Sequence, residues 1–217
     1  MLIICDFDGT VTARDTNSAL ARRFAPDAFS RVEGLLATRE MSLREVLSTE
    51  FAGFHVGLEA VLEEALRIPF RAGFASFLDA AERADAQVVL LSSGFREIIE
   101  PMLERDGLHG RVPLLANGIA FSEQGGTITW RELPTCELCD EPCKRHDVAM
   151  LREAHAAAGE DVVFVGDGFS DRCGAETADR VFARDSLARY LDERALPYEA
   201  WDDFDDVSRA LGLEVTT

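Results

Sequence analysis

The chain has 217 residues, enough for one medium domain or a core with an insertion, and its 47% hydrophobic and 29% charged content is ordinary for a soluble globular fold. Lys and Arg number 22 against 40 Asp and Glu, and the net charge of −18 argues against nucleic acid and anionic membrane surfaces as partners. No apolar run is long enough to cross a bilayer and strand character begins at residue 2, so a cytoplasmic location with five reduced cysteines is expected.

The first element, Leu2-Ile3-Ile4-Cys5, is an apolar strand that runs into Asp6-Phe7-Asp8-Gly9-Thr10-Val11-Thr12. Residues two apart on a strand share a side, so Asp6 and Asp8 can face one ligand together. Two carboxylates held that close require a cation or a shared proton, and a hard cation such as Mg²⁺ commonly brings phosphate with it. Residues 14–85 then read as helical, with apolar positions three and four apart over 16–25, 26–39, 42–54, 58–68 and 72–84. Pro26 suits a first turn, Ser42 with Glu45 suits a capping box, and Gly57, Pro69 and Gly73 punctuate the later segments. This block is far longer than an ordinary crossover. It is expected to be an inserted all-α cap over 14–85, with an α/β core built from 1–13 and 86–217.

Strand character returns over 87–91, closed by Ser92-Ser93-Gly94 and followed by a helix over 95–104. A third strand over 112–115 precedes a hairpin of 119–121 and 127–130 around Gly125-Gly126. Beyond a loop carrying Cys136, Cys139 and Cys143, an Ala-rich helix spans 145–158. Strands over 161–165 and 181–183 flank a helix over 170–178, and helices over 185–194 and 204–211 surround a short strand near Tyr198. Alternating strands and helices imply a parallel sheet covered on both faces, a Rossmann-like α/β core.

Ligands of open parallel sheets sit at the carboxyl ends of the strands. There this chain places Asp6 and Asp8, the hydroxyls and amides of Ser92-Ser93-Gly94, Lys144, and the two carboxylates of Gly166-Asp167-Gly168-Phe169-Ser170-Asp171. Alone, a Ser-Gly turn is usually a helix cap and a Gly-Asp-Gly turn only a turn. Together they point to metal-assisted phosphoryl chemistry.

These four motifs resemble those of the haloacid dehalogenase superfamily of phosphatases, in its phosphoserine-phosphatase-like branch with a helical-bundle cap, and they span nearly the whole chain. Within that branch, residues 6–15, the cysteine-rich approach to Cys143-Lys144, and Phe182-Ala183-Arg184-Asp185 are most similar to the methionine-salvage phosphatases acting on 2-hydroxy-3-keto-5-methylthiopentenyl-1-phosphate. Phosphoserine phosphatase and a related phosphotransferase are alternatives on the same residues. A non-catalytic phosphate- or metal-binding regulator is the alternative of another class, and it would have no need for Asp8.

The resemblance implies that Asp6 is the nucleophile of an aspartyl-phosphate mechanism on a small phosphorylated metabolite and that Asp8 is general acid and then base. It implies Mg²⁺ held by the carboxylates of Asp6 and Asp167 and the main-chain carbonyl of Asp8, with Asp171 orienting a water at the metal and Ser92 and Lys144 binding phosphoryl oxygens. Ser93 stands where the branch often has a second glycine, and its hydroxyl either touches phosphate or fills space. Asp15 matches an acidic residue that leans into the site, and Arg44 a cationic cap position facing a substrate carboxylate or phosphate. A solvated loop aspartate and a surface arginine are the plain alternatives. Phe51, Phe54 and Phe74 are expected in the cap core.

Cys136-x₂-Cys139-x₃-Cys143 has the density of a Zn²⁺ or other soft-metal site, with His146 a candidate fourth ligand, although the spacing matches no common finger. A thiol-bearing loop and a redox disulfide stay open as readings. Cys5 and Cys173 are expected to be ordinary buried cysteines.

Overall fold

The computed structural model describes residues 1–155, 159 and 161–214. Seven strands, β1 (Leu2–Cys5), β2 (Gln87–Phe95), β3 (Leu114–Ser122), β4 (Gly125–Thr129), β5 (Val162–Gly166), β6 (Arg180–Ala183) and β7 (Glu199–Ala200), form one sheet in the order β4-β3-β2-β1-β5-β6-β7. β1 is central, parallel to β2 on one side and β5 on the other, with Cys5 opposite Leu90 and Val165. Of these strands β4 alone runs antiparallel, against β3.

Alternate residues of β1 serve opposite faces. Ile3 and Cys5 join one apolar cluster with Val88, Leu90, Val163 and Val165. Leu2 and Ile4 join the other with Val89, Leu91, Val162 and Phe164. The first face is covered by Ile98, Ile99 and Met102 of α7 (Arg96–Arg105) and by Phe204 and Val207 of α11 (Phe204–Leu211). The second is covered by Val148 of α8 (Lys144–His155) and by Leu187 and Leu191 of α10 (Asp185–Asp192). Burial on both faces is why the central strands read as unbroken apolar runs.

Between β1 and β2 stand α1 (Thr16–Phe24), α2 (Pro26–Val32), α3 (Leu35–Thr38), α4 (Leu43–Ala52), α5 (Leu58–Ala65) and α6 (Phe74–Arg83). The single helix expected over 26–39 is broken at Gly34 into α2 and α3. Ser42 caps α4 as expected: its Oγ accepts from the Glu45 amide (3.2 Å) while Glu45 accepts from the Ser42 amide (2.8 Å). The paths into and out of α1–α5 run side by side, with the Ala13 amide donating to the Pro69 carbonyl (3.0 Å) and the Arg71 amide to the Val11 carbonyl (2.7 Å). α6, which the sequence pattern groups with the inserted helices, lies beyond this return and packs with the sheet. Its Phe74 and Phe77 rings stand 4.9 and 5.1 Å from that of Phe204. Phe51 and Phe54 stack at 4.4 Å and form the apolar seam between α4 and the strand residues Phe95 and Phe121.

Three local readings change. β2 continues through Ser92-Ser93-Gly94 to Phe95, so these residues finish a strand instead of opening a helix. The expected third strand and first hairpin arm are one strand, because β3 offers one edge to β2 at Leu114 and Leu115 and the other to β4 from Gly118 onward. The helix expected over 170–178 contracts to a 3₁₀ turn at Phe169–Asp171 and α9 (Arg172–Ala175). The last turn of the helix expected over 145–158 lies outside the described residues. Among the described residues no helix is long and apolar enough to cross a membrane.

Candidate active site

β1 delivers Asp6 to the middle of the sheet's carboxyl edge, where its amide donates to the Val165 carbonyl (2.9 Å). The chain then turns back on itself. The Thr12 amide donates to the Phe7 carbonyl (3.0 Å), and the Gly9 amide to Thr12 Oγ1 (2.9 Å). Gly9 has φ of 90°, and a Cβ there would stand 2.5 Å from Asp167 Oδ2, so both the backbone hand and the crowding exclude a side chain. Arg71, on the return path, pins the turn by donating to the carbonyls of Thr10 (2.9 Å) and Gly9 (2.5 Å).

Lys144, the only lysine of the chain, opens α8 and is buried. Its Nζ donates to Asp6 Oδ1 and to Asp171 Oδ1, the latter at 2.7 Å. Asp171 Oδ2 accepts from the amides of Asp167 (3.0 Å) and Gly168 (2.8 Å), so both of its oxygens are engaged. Thr10 Oγ1 donates to Asp167 Oδ1 (2.6 Å). Carboxylate oxygens of Asp6, Asp167 and Asp171 lie within 4.8 Å of one another. Burial, then the Asp171 charge, pushes Asp6 well above the usual carboxylate range against the pull of Lys144. The same two causes push Asp167 up to about 7. Burial opposes the charge on Lys144, but Asp171 and Asp6 outweigh it and hold the ammonium above its ordinary value. One ammonium among three carboxylates leaves negative charge in excess, and an all-oxygen donor set fits a hard dication such as Mg²⁺.

Asp8 turns its carboxylate out of this group. Its Oδ2 accepts from Ser92 Oγ (2.8 Å), which in turn accepts from the Gly94 amide (2.8 Å). Burial and then the Asp15 charge push Asp8 up to about 7 despite the opposing Ser92 bond. A carboxyl so placed can give and take a proton near neutral pH.

A cavity of about 250 Å³ opens between these groups and the inserted helices. Asp6, Asp8, Ser93 and Asp167 line it from the sheet, and Leu36, Leu43, Val46, Leu47 and Glu50 from α3 and α4. Asp15 lines it too, while capping α1 through the Ser18 amide (2.6 Å). Arg44 does not reach it. Its guanidinium donates to the Arg131 carbonyl (3.0 Å) and lies 5.0 Å from the centre of the Trp130 ring. Among the described residues that line the cavity, none is basic. Glu50 escaped the sequence reading. It is buried, and burial followed by the Asp15 charge pushes it up to about 7. The signal was present, since Leu43, Val46, Leu47 and Glu50 fall on one helical stripe and a carboxyl on an apolar stripe is out of place there.

The sulfurs of Cys136, Cys139 and Cys143 come together, and their fourth neighbour is Cys173 of α9: all four lie within 4.8 Å of one another. Cys173 is therefore not the ordinary buried cysteine expected. His146 is not in the group; its Nε2 stands 3.5 Å from the Thr135 carbonyl. The Lys144–Asp171 ion pair explains the meeting, because Cys143 precedes Lys144 and Cys173 follows Asp171 by two residues. A hydrogen bond with Cys143 holds the Cys173 thiol down to about 6 and pushes Cys143 up. Cys5 stays buried in β1, as expected.

The sequence model of the haloacid dehalogenase-like hydrolase family matches residues 3–176. A 2-hydroxy-3-keto-5-methylthiopentenyl-1-phosphate phosphatase of Brevibacillus brevis is 31% identical, over 97% of this chain and 95% of that protein. One of the same name from Microcystis aeruginosa is 29% identical over 98% of each. Among solved structures, a phospho-aspartyl intermediate analogue of phosphoserine phosphatase has a TM-score of 0.72 at 18% identity, covering 96% of this chain and 97% of that one. A substrate-bound phosphoserine phosphatase complex has a TM-score of 0.71 at 18% identity with the same coverage. These structural likenesses establish the fold. With the family pattern spanning both halves of the sheet and a phosphatase relative aligned over nearly the full length, this chain belongs to the haloacid dehalogenase-like hydrolases and is a phosphatase among them.

Proposed function

We propose that this phosphatase hydrolyses a small phosphomonoester through a phosphorylated Asp6, and that the leaving group carries an uncharged, partly apolar chain. The substrate named for the Brevibacillus and Microcystis relatives, 2-hydroxy-3-keto-5-methylthiopentenyl-1-phosphate, has that character. One observation carries the choice of substrate. On the cavity wall facing the nucleophile, the inserted helices present the apolar Leu36, Leu43, Val46 and Leu47, the neutral polar Asn17 and Ser18, and the acidic Asp15 and Glu50, with no cation among the described residues. A phosphoserine carboxylate would meet that wall without a cation, because Arg44 is held on Trp130 and Arg131.

An Asp6 oxygen attacks phosphorus as the bond to the leaving oxygen breaks, and Asp8 gives its proton to that oxygen. Asp8 then takes a proton from the water whose oxygen displaces Asp6 and regenerates its carboxylate. In this reading Lys144 and Ser92 hold phosphoryl oxygens, while the bonds on Asp171 keep Lys144 and the 167–168 turn aligned. Asp6, Asp167 and the main-chain carbonyl of Asp8 would hold Mg²⁺, whose charge would let a phosphate dianion approach three carboxylates. We assign α1–α5 as the cap that closes over this chemistry.

The test is phosphate release from a panel of phosphorylated metabolites and p-nitrophenyl phosphate, with Mg²⁺ and with chelator. We expect Mg²⁺-dependent turnover, and a fall in kcat of about 10⁴-fold or more in Asp6→Asn. p-Nitrophenolate leaves without protonation, so Asp8→Asn should still be phosphorylated by this substrate and accumulate the phosphoenzyme, visible by mass. Near-full activity of Asp6→Asn would overturn the mechanism. A higher kcat/KM for phosphoserine than for apolar-tailed esters would overturn the substrate reading.

A further inference from the structure

The carboxylate group is one of two side-chain clusters suited to a metal among the described residues; the other is made of sulfur. Between β4 and α8 the chain runs over 131–143 with neither helix nor strand, and Cys136 is its one buried residue. Apolar burial therefore contributes little to ordering this loop, which is held by polar contacts such as the Arg131–Asp147 ion pair and the Thr135–Pro142 bridge. The loop is also shaped to aim thiols at one point. The Asp140 amide donates to the Cys136 carbonyl (2.9 Å) and the Cys136 amide to the Glu141 carbonyl (3.0 Å), with Asp140 in left-handed backbone at φ of 60°. The Leu138 amide donates to Cys136 Sγ (3.4 Å), which fixes where that sulfur points.

We propose that Cys136, Cys139, Cys143 and Cys173 hold one Zn²⁺ in a closed tetrathiolate site that fastens loop 131–143 to the start of α8 and to α9. The Cys136-x₂-Cys139 spacing is that of a zinc-binding pair; Cys143 follows at the end of the same loop, and Cys173 closes the set from α9. With Zn–S bonds of about 2.3 Å a tetrahedron has sulfur–sulfur edges of about 3.8 Å, and these sulfurs already lie within 4.8 Å of one another. Binding releases the thiol protons to solvent and oxidises nothing. Four thiolates on a dication leave negative charge over, and Arg172, the residue before Cys173, has its guanidinium over the Phe169 and Tyr190 rings and a buried Nε with no hydrogen-bond partner among the described residues.

The site lies where it fixes the phosphate-binding machinery. It joins the chain beside Lys144 to the chain beside Asp171, the two residues whose ion pair underlies the cavity. The same loop seats α4, since Glu141 Oε2 accepts from the Leu43 amide (3.0 Å) and the Arg131 carbonyl accepts from Arg44 (3.0 Å). Zinc binding is independent of the hydrolase reading; only the consequence for Lys144 rests on it.

The test uses the full chain, purified under reducing conditions and offered Zn²⁺, with elemental analysis as the readout. We expect about one zinc per chain, and on replacement by Co²⁺ the thiolate-to-metal charge-transfer and ligand-field bands of a tetrahedral sulfur site. Zinc should protect these four cysteines from alkylation as a set, mapped by mass spectrometry, and a chelator should expose them together. Cys173→Ser should weaken zinc binding by more than the roughly 100-fold that loss of an outer partner costs, whereas His146→Ala should leave metal content and spectrum unchanged. If Cys173→Ser does not fold, the wild-type stoichiometry, cobalt spectrum and protection map decide. A chain that stays zinc-free, a Cys136–Cys139 disulfide that persists under reductant, or a cobalt spectrum of oxygen ligands alone would each overturn the proposal. A failed hydrolysis assay would leave it standing, because none of these readouts uses activity.

Discussion

Glu50 and Asp8 are both carboxyls pushed up to about 7 on the same cavity, but only Asp8 has a hydroxyl partner, Ser92. Glu50 reaches that value through burial and the Asp15 charge, and folding bears the consequence. In the unfolded chain it titrates near 4.5, and in the fold near 7. Below 4.5 both states are protonated and the residue is neutral in its effect. From there to about 7 the unfolded state ionises while the fold retains the proton, so stability falls as pH rises and then levels. Glu50→Gln removes that titration. The stability of the variant relative to wild type, measured by urea unfolding across this range, should therefore rise with pH and reach a plateau; a flat difference would mean the carboxyl is ionised in the fold. At this scale Asp6, Asp8, Lys144, Asp167 and Asp171 were legible because each sits where a strand or helix end announces itself. Cys173 was not, because it lies far along the chain from the other thiols, in a four-residue helix. Only the pairing of Lys144 with Asp171 brings it near, and that pairing was itself an available clue.

Among the elements, the β3–β4 hairpin is the arm by which the sheet reaches the inserted helices. Gly125 has φ of 122°, and a Cβ there would run into the Ala52 carbonyl; one on Gly126 would stand 2.7 Å from the Phe51 carbonyl. Gly125→Ala should therefore cost about 1–3 kcal/mol in denaturant unfolding, from overpacking together with backbone strain. Gly57→Ala is the control: nothing lies within 4 Å of a Cβ there and φ is −77°, so its effect should be small. Equal effects of the two would mean that the hairpin does not bear on α4. Helix periodicity located α1, α4, α5 and α11 within a few residues, because each has one buried stripe. It merged α2 with α3 since Gly34 leaves the apolar spacing intact on both sides. It also could not tell α6 from the inserted helices, because an amphipathic face does not say which apolar surface it will meet. β3 was read as two strands because one half pairs with β2 and the other with β4, and its exposure changes along its length.

At the scale of the whole molecule, a net charge of −18 surrounds a cavity lined by acids, with Lys144 buried beneath it. A phosphate dianion thus approaches against the overall field and is held only by local groups. Raising the ionic strength from about 0.01 M to about 0.15 M shortens the screening length from about 30 Å to about 8 Å. At saturating Mg²⁺ this should raise kcat/KM for a dianionic ester several-fold, the reverse of a steered enzyme. A fall with salt would reveal a basic approach path. The overall architecture was the most legible property of the sequence, since alternating strands and helices with one long helical interruption admit few arrangements.

The central position of β1 also bears on how the chain is made. β1 precedes both of its neighbours, β2 at Gln87–Phe95 and β5 at Val162–Gly166, so during synthesis it waits for each in turn. At about 5–20 residues per second the second partner follows about 10–30 s after β1 itself. For that interval Leu2-Ile3-Ile4-Cys5 is an apolar ribbon with at least one unpaired edge, the kind of segment that recruits neighbouring nascent chains. The strand that presents the nucleophile is thus the one most in need of shelter on the ribosome, and a product cut short before Val162 leaves that edge permanently open.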